Sequence, residues 1–252
     1  MKIHSLLFIL LAGAALAATA GTSTDPAKAR FITTDIDLFW SVYERAKPDT
    51  AVALYQQEYL DKGSDGLKKF TQLDRVTGAN LARALERSPR FYAALKPYSR
   101  TVPQYEGAMR ASFRKLQELY PAAAFPDVYF VIGKQNSAGK PSDMGLLIGV
   151  EMMGKNPGAP EDELSNWLKA VVKPMDGIPA IVAHELIHYQ QKASDNTLLT
   201  RALKEGICDL VGEMIAGAQI NPHLQTYGDQ HEAALWREFA GEMHGTDVSN
   251  WL

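Results

Sequence analysis

Ile181-Val182-Ala183-His184-Glu185-Leu186-Ile187-His188 sets two histidines four residues apart, with a glutamate directly after the first. Four residues advance an α-helix by slightly more than one turn, so on a helix both imidazoles share a face and Glu185 stands about 100° round from His184. Ile181, Val182, Leu186 and Ile187 supply apolar packing around the pair, and Pro179 suits the first turn, where its missing N–H costs nothing. The stretch predicts a helix with a buried flank and one polar line. The fold must bring a second element against that line.

Two imidazoles at this spacing can reach one metal ion, and a carboxylate too far round to be a ligand can take a proton from a water on it. One zinc ion is the expected cofactor, with His184 and His188 as ligands and Glu185 as general base. A catalytic zinc takes three protein ligands and keeps one open position. Glu205, on a helix predicted from Asp195-Asn196-Thr197 to about Gly217, is the natural third ligand from an antiparallel neighbour. Gly206 beside it predicts close helix approach, and Asp209, four residues beyond Glu205, is placed to accept a hydrogen bond from a ligand histidine ring. Glu213 reads as an exposed or supporting group. For stabilising an oxyanion, Tyr227 and His231 are preferred over His223 among the residues that follow the ligand helix. Cys208 is the sole cysteine, so no intrachain disulfide can form; within an apolar helix it reads as a buried packing residue rather than a ligand or nucleophile.

Working outward, the 252 residues are 46% apolar and 22% charged, which is enough to bury a sizeable core in one domain. A net charge of -3 leaves no electrostatic footprint for nucleic acid. Residues 1–20 read as a signal peptide: Lys2, an apolar run from Leu6 to Ala18, then Ala18-Thr19-Ala20. This predicts export to the periplasm or the medium, with no stable membrane anchor after cleavage, since the run falls short of the roughly 20 residues a spanning helix needs. Residues 21–29 read as a flexible leader and 30–252 as a single domain.

Within that domain, residues 30–124 predict a helical layer, with segments at Ile36 to Tyr43, Ala51 to Leu60, Gly66 to Thr77, Gly78 to Arg87 and Tyr105 to Tyr120. In residues 125–151 the period switches to short β-branched runs, Val128 to Ile132 and Gly145 to Val150. These predict a small sheet with a loop from Gly133 to Asp143 between its strands. Residues 161–252 carry the metal-site helices: Glu161 to Val172, the two described above, and a last one from Gln230 to Met243. The expected class is mainly α with a small β-sheet, an α+β fold in which the histidine helix packs against a Glu-bearing helix.

The spacing His184-Glu185-x-x-His188 followed by Glu205-Gly206-x-x-Asp209 resembles the glutamate-zincin metallopeptidases. Phe31 to Asp35 with Phe39-Trp40, Tyr129 to Gly133, Gly145 to Glu151, His184 to Gln191 and His231-Glu232 with Trp236 together resemble exported bacterial proteins related to the gliding-motility lipoprotein GldB. That group overlaps a domain of unknown function (DUF2268-like) assigned to zinc-dependent proteases on its motif. The resemblance implies a zincin-like fold across nearly the whole mature chain, with ligands at His184, His188 and Glu205, a base at Glu185 and a supporting carboxylate at Asp209. This chain lacks the lipoprotein cysteine of that group. It also has Gln191 and Ser194 where metzincins place Gly and a third His.

The expected function is an exported zinc hydrolase, foremost a metallopeptidase with a peptide or protein substrate, which a strand such as Leu146 to Val150 could hold by main-chain hydrogen bonds. The alternative is a zinc-containing envelope binding or assembly module without significant hydrolysis. Hydrolysis of a non-peptide amide shares the same chemistry. Oligomeric state is not encoded in any pattern read here.

Overall fold

The computed structural model describes residues 22–192 and 195–251; the segment read as a signal peptide lies outside them. Four strands form one open sheet in the order β1-β2-β4-β3: β1 (Phe31–Ile32), β2 (Val128–Val131), β3 (Gly139–Ser142) and β4 (Gly145–Gly149). β1, β2 and β4 are parallel, with Val128 opposite Leu146, and β3 runs antiparallel to β4, with Gly139 opposite Ile148. β4 is therefore an interior strand with every residue buried, which corrects the expectation that Leu146 to Val150 could hold an extended peptide. The edge on the β4 side belongs to β3. That strand falls inside the expected loop, and its Pro141 is compatible with an edge, where a missing donor leaves no gap in the ladder. Gly145 opens β4 at φ +134, and a Cβ there would stand 2.3 Å from the Asp127 carbonyl oxygen, so only glycine fits this entry to the strand.

The amino-terminal layer comprises α1 (Thr34–Tyr43), α2 (Ala51–Leu54), α3 (Asp65–Asp74), α4 (Gly78–Arg87), α5 (Pro89–Ser99) and α6 (Glu106–Leu119). α2 continues into a π-helical stretch over Tyr55–Leu60, so it departs from the uniform helix expected over Ala51 to Leu60, and α5, with Pro97 inside it, lies where no helical segment was expected. Phe39, Trp40, Tyr59 and Tyr92 are wholly buried and meet edge to face or tilted, with Phe39 5.2 Å from Tyr59 and 4.8 Å from Trp40. Their polar atoms are satisfied at the end of β2: the Tyr59 hydroxyl donates to the Ile132 carbonyl and accepts from the Ile132 amide, and the Tyr92 hydroxyl donates to the Gly133 carbonyl. The aromatic core thereby fixes where the sheet ends and the next loop begins. Asp35, in the first turn of α1, is buried and accepts from the Ser64 amide and hydroxyl.

Residues 22–29 are also tied down, contrary to the leader expected there. Ser23 bridges Phe125, Asp25 caps a short 3₁₀ turn over Pro26–Lys28, and Pro26 and Ala29 are buried. The carboxy-terminal part comprises α7 (Asn166–Val171), α8 (Ile178–Gln190), α9 (Leu198–Ala216) and α10 (Pro222–Glu242), and α6 packs against both α8 and α9. α7 is shorter than the expected Glu161 to Val172, and its Trp167 is 54% exposed. α10 begins eight residues before Gln230, because Asn221-Pro222 opens the helix with proline in its first turn instead of forming a loop. α8 is apolar on nearly all sides and runs through the middle, packed on β3, β4, α6 and α9.

Candidate metal centre

α8 carries His184, Glu185 and His188 between two supports. One is the β3 edge and the other is α9, which starts under a Thr197 cap and stops at Gly217 in the left-handed conformation. His184 lies opposite Asp209 and His188 opposite Glu205, so the two helices run antiparallel. Close approach comes from Gly212, where a Cβ would stand 3.2 Å from the His184 amide nitrogen. Gly206, expected to serve this purpose, faces open space. A glycine six residues further along α9 does the work that a glycine beside the ligand was expected to do.

Each imidazole is oriented through its Nδ1. His184 Nδ1 lies 2.9 Å from Asp209 Oδ1, and His188 Nδ1 lies 3.0 Å from Gln191 Oε1. Gln191 also donates through Nε2 to the Lys204 carbonyl at 3.0 Å and toward Cys208 Sγ at 3.3 Å, so it links the end of α8 to α9. Nothing in the local spacing marks Gln191; only its place one turn after His188 hints at contact. Such partners fix the ring and leave Nε2 aimed at the site. Both Nε2 atoms face the same carboxylate oxygen, Glu205 Oε2, at 3.5 Å from His184 and 3.2 Å from His188. Ligand atoms around a tetrahedral zinc with bonds of roughly 2.0–2.1 Å stand about 3.3 Å apart, and the two separations match that edge.

Cys208 is the residue whose place the sequence did not reveal. It is buried as expected, yet its Sγ and the ring nitrogens of His184 and His188 all lie within 4.8 Å of one another, a cluster that could hold a metal ion such as zinc. Burial pushes the Cys208 thiol well above its ordinary pKa, and nearby carboxylates add to this. The donor set of two imidazoles with a carboxylate or a thiol fits a borderline-soft divalent ion.

Charge is distributed accordingly. Burial disfavours the charged form of His184, but the Asp209 and Glu205 carboxylates outweigh it and raise the imidazole to about 9. His188 is raised by the same balance of burial against Glu205, and Glu205 is held far below the usual carboxylate range by its two histidine partners. Glu185 goes the other way. Its side chain is 7% exposed, and burial lifts its carboxyl above the ordinary range against the pull of the two histidines. It packs on β3 so closely that a Cβ on Gly139 would meet its Cγ and Oε1 at 2.7 Å.

These groups open on a cavity of about 480 Å³. His184, Glu185, His188 and Glu205 form one wall, and Gly139, Lys140 and Pro141 of β3 form another. Tyr227 and His231 are not among its lining residues: their rings stack on each other at 4.2 Å on α10, and His231 Nδ1 lies 2.8 Å from the Tyr227 carbonyl oxygen. The turn that leads into α10 is held elsewhere, by Glu213 accepting from the Ile220 amide and Gln225 Nε2. Among the described residues no helix is long and apolar enough to cross a membrane. No family model matches the chain, and neither does any curated protein or solved structure.

Proposed function

We propose that this chain is a zinc-dependent hydrolase of peptide bonds, acting outside the cytoplasm and related to the GldB-like group of glutamate zincins. The observation that carries the proposal is Glu185: a carboxyl buried in the cavity wall, raised in pKa, beside two imidazoles whose Nε2 atoms point into the same space. His184, His188 and Glu205 would hold the ion, which when bound supplies Lewis acidity and brings the pKa of a water to roughly 7. Glu185 then takes one proton from the attacking water. As the C–N bond breaks, the same carboxyl returns that proton to the leaving nitrogen, so the products are a carboxylic acid and an amine. Asp209 and Gln191 hold the two rings in place through this exchange.

The test is zinc content and cleavage of a peptide library by wild type and Glu185→Gln. Zinc is expected to remain while cleavage falls by about 10²–10⁴; equal cleavage by both proteins would overturn the proposal.

A second reading, a zinc-containing envelope binding or assembly module without hydrolysis, is favoured by Cys208. A thiol this close to both imidazoles offers a fourth protein donor. Two histidines, Glu205 and Cys208 together would close the coordination shell and leave no position for water. Both readings share what the structure establishes, a cluster able to hold a metal ion, and they part on whether sulfur joins it.

A further inference from the structure

β3 borders the cavity where Glu185 stands, and it does so with a glycine. A Cβ built on Gly139 would lie 2.7 Å from Glu185 Cγ and Oε1 and 2.9 Å from Cδ, and these are its three nearest atoms. Carbon atoms pack at about 3.5–4.0 Å, so even one methyl group would force the two residues apart by about 1 Å. Which partner yields decides what the glycine does. The strand is the stiffer one. Its ladder joins it to β4, with Gly139 opposite Ile148 and Lys140 opposite Leu147, and the Gly149 amide donates to the Ala138 carbonyl at 3.0 Å just before it. A Cβ on Gly149 would stand 2.2 Å from the Ser137 carbonyl oxygen, so the chain entering β3 already lies as close to β4 as a backbone can. The Lys140 ammonium is paired with Asp74 at the end of α3, a nearly buried carboxylate that also accepts from Asn136 Nδ2 at 3.2 Å, and this anchors the residue next to Gly139. On the other side, α8 holds only the backbone of Glu185. Its side-chain torsions are the softest freedom at the contact.

We infer that Gly139 is a positioning residue for Glu185: its bare backbone lets β3 close on the carboxyl and confines it to the cavity wall beside the histidines. A side chain at this position would displace the base and leave His184, His188 and Glu205 where they are, since none of them is among the atoms it would meet first. A displacement of about 1 Å in a catalytic constellation is worth about 10²-fold in rate. The inference rests on the hydrolase proposal for the role of Glu185 as base, but the contact itself can be read without any cleavage.

Gly139→Ala, Glu185→Ala and the double variant are compared with wild type in two measurements. With zinc loaded and its content checked, Gly139→Ala is expected to keep the metal, to lose about 10- to 100-fold in kcat on the best-cleaved library peptide, and to hold KM within about twofold. In the metal-free proteins, Gly139→Ala is expected to lower the urea midpoint of wild type. In the Glu185→Ala background the same change should leave the midpoint level or raise it, because the clash is gone and glycine inside a strand is otherwise the less stable choice. An unchanged kcat in a Gly139→Ala protein that holds zinc, or the same midpoint change in both backgrounds, would overturn the inference. Should Gly139→Ala not fold, folding of the double variant supports the inference and its failure ends it. Should wild type hold zinc and cleave no peptide, the hydrolase proposal fails, and the urea midpoints alone decide whether Gly139 positions Glu185.

Discussion

Around the sheet, Phe39, Trp40, Tyr59, Phe70 and Tyr92 have no exposed surface, whereas along α9 and α10 Leu203, Leu210, Leu224, Tyr227 and Trp236 are about half exposed or more. The same residue types are thus sealed in one region and left open in the other, with α8 between them. The sheet region is held from many sides. α9 is fastened mainly along one face, through Cys208, Val211, Gly212 and Ile215. Of the three proposed ligands, two sit on the sealed side of the seam and Glu205 on the open side. A metal ion would therefore join the loosely held helix to the rigid one, and metal binding should stabilise the fold as well as serve chemistry.

The two regions also treat a buried glutamate differently. Glu151, wholly buried beneath the sheet, is surrounded by protein and accepts from the Gly133 and Gln135 amides, and burial still raises it to about 7. Glu185 is raised too, but it borders the cavity. One has a structural surrounding and the other an opening through which a proton can be exchanged.

Trp40→Ala should break the contrast most severely. It empties the sealed core and removes the bond from Trp40 Nε1 to Ser99, and is expected to cost about 3–5 kcal/mol of unfolding free energy in urea titrations. Next in size is a pH effect of about 3 kcal/mol from Glu151. Its folded pKa, about 7, lies above the ordinary glutamate value of 4.5, so the native state binds the proton more tightly. That contribution is fully present below about pH 4.5 and is lost as pH rises through 7; urea midpoints should fall across this window in wild type and not in Glu151→Gln. His184 adds a separate fall in the metal-free protein, between the ordinary histidine value of 6.5 and about 9, again because the folded value is raised. Bound metal, which competes with that proton, should remove this second fall alone.

At the seam, Asp209→Asn is expected to weaken zinc affinity by about 10- to 100-fold, measured by competition with a chelator, while leaving the urea midpoint of the metal-free protein within about 1 kcal/mol of wild type. The smallest effect belongs to the open region. Trp236→Ser should change stability by no more than about 0.5 kcal/mol, since its ring is 62% exposed; a larger loss would mean that α10 is covered in solution.

The histidine helix, the ligand helix with its Thr197 cap and Gly217 stop, and two strands were legible because each combines strong periodicity with local boundary signals. β3 was not: Gly-Lys-Pro-Ser has no alternation, and it becomes a strand only because β4 lies beside it. The contacts of Glu205 and Asp209 follow from helical spacing, since both lie on the line of α9 that meets α8. Gly206 and Gly212 show the limit of that reasoning. Spacing identifies residues on a face, but the crossing point of two helices is set by tertiary packing, and that places Gly212 against His184 and leaves Gly206 in the open. Gln191, Cys208 and Lys204 were missed as parts of the site for the same reason, because each matters through a neighbour on another element. The expectation for Tyr227 and His231 required α10 to fold back over the cavity, and that helix carries their rings elsewhere.

The central claim is that α8 and α9 build a three-ligand site that leaves Glu185 a water to act on. X-ray absorption at the zinc edge of the loaded protein tests it most directly. The account predicts a shell of nitrogen and oxygen only, from two imidazoles, one carboxylate and a solvent oxygen at about 2.0–2.2 Å; a sulfur scatterer at about 2.3 Å would place Cys208 on the metal and contradict it.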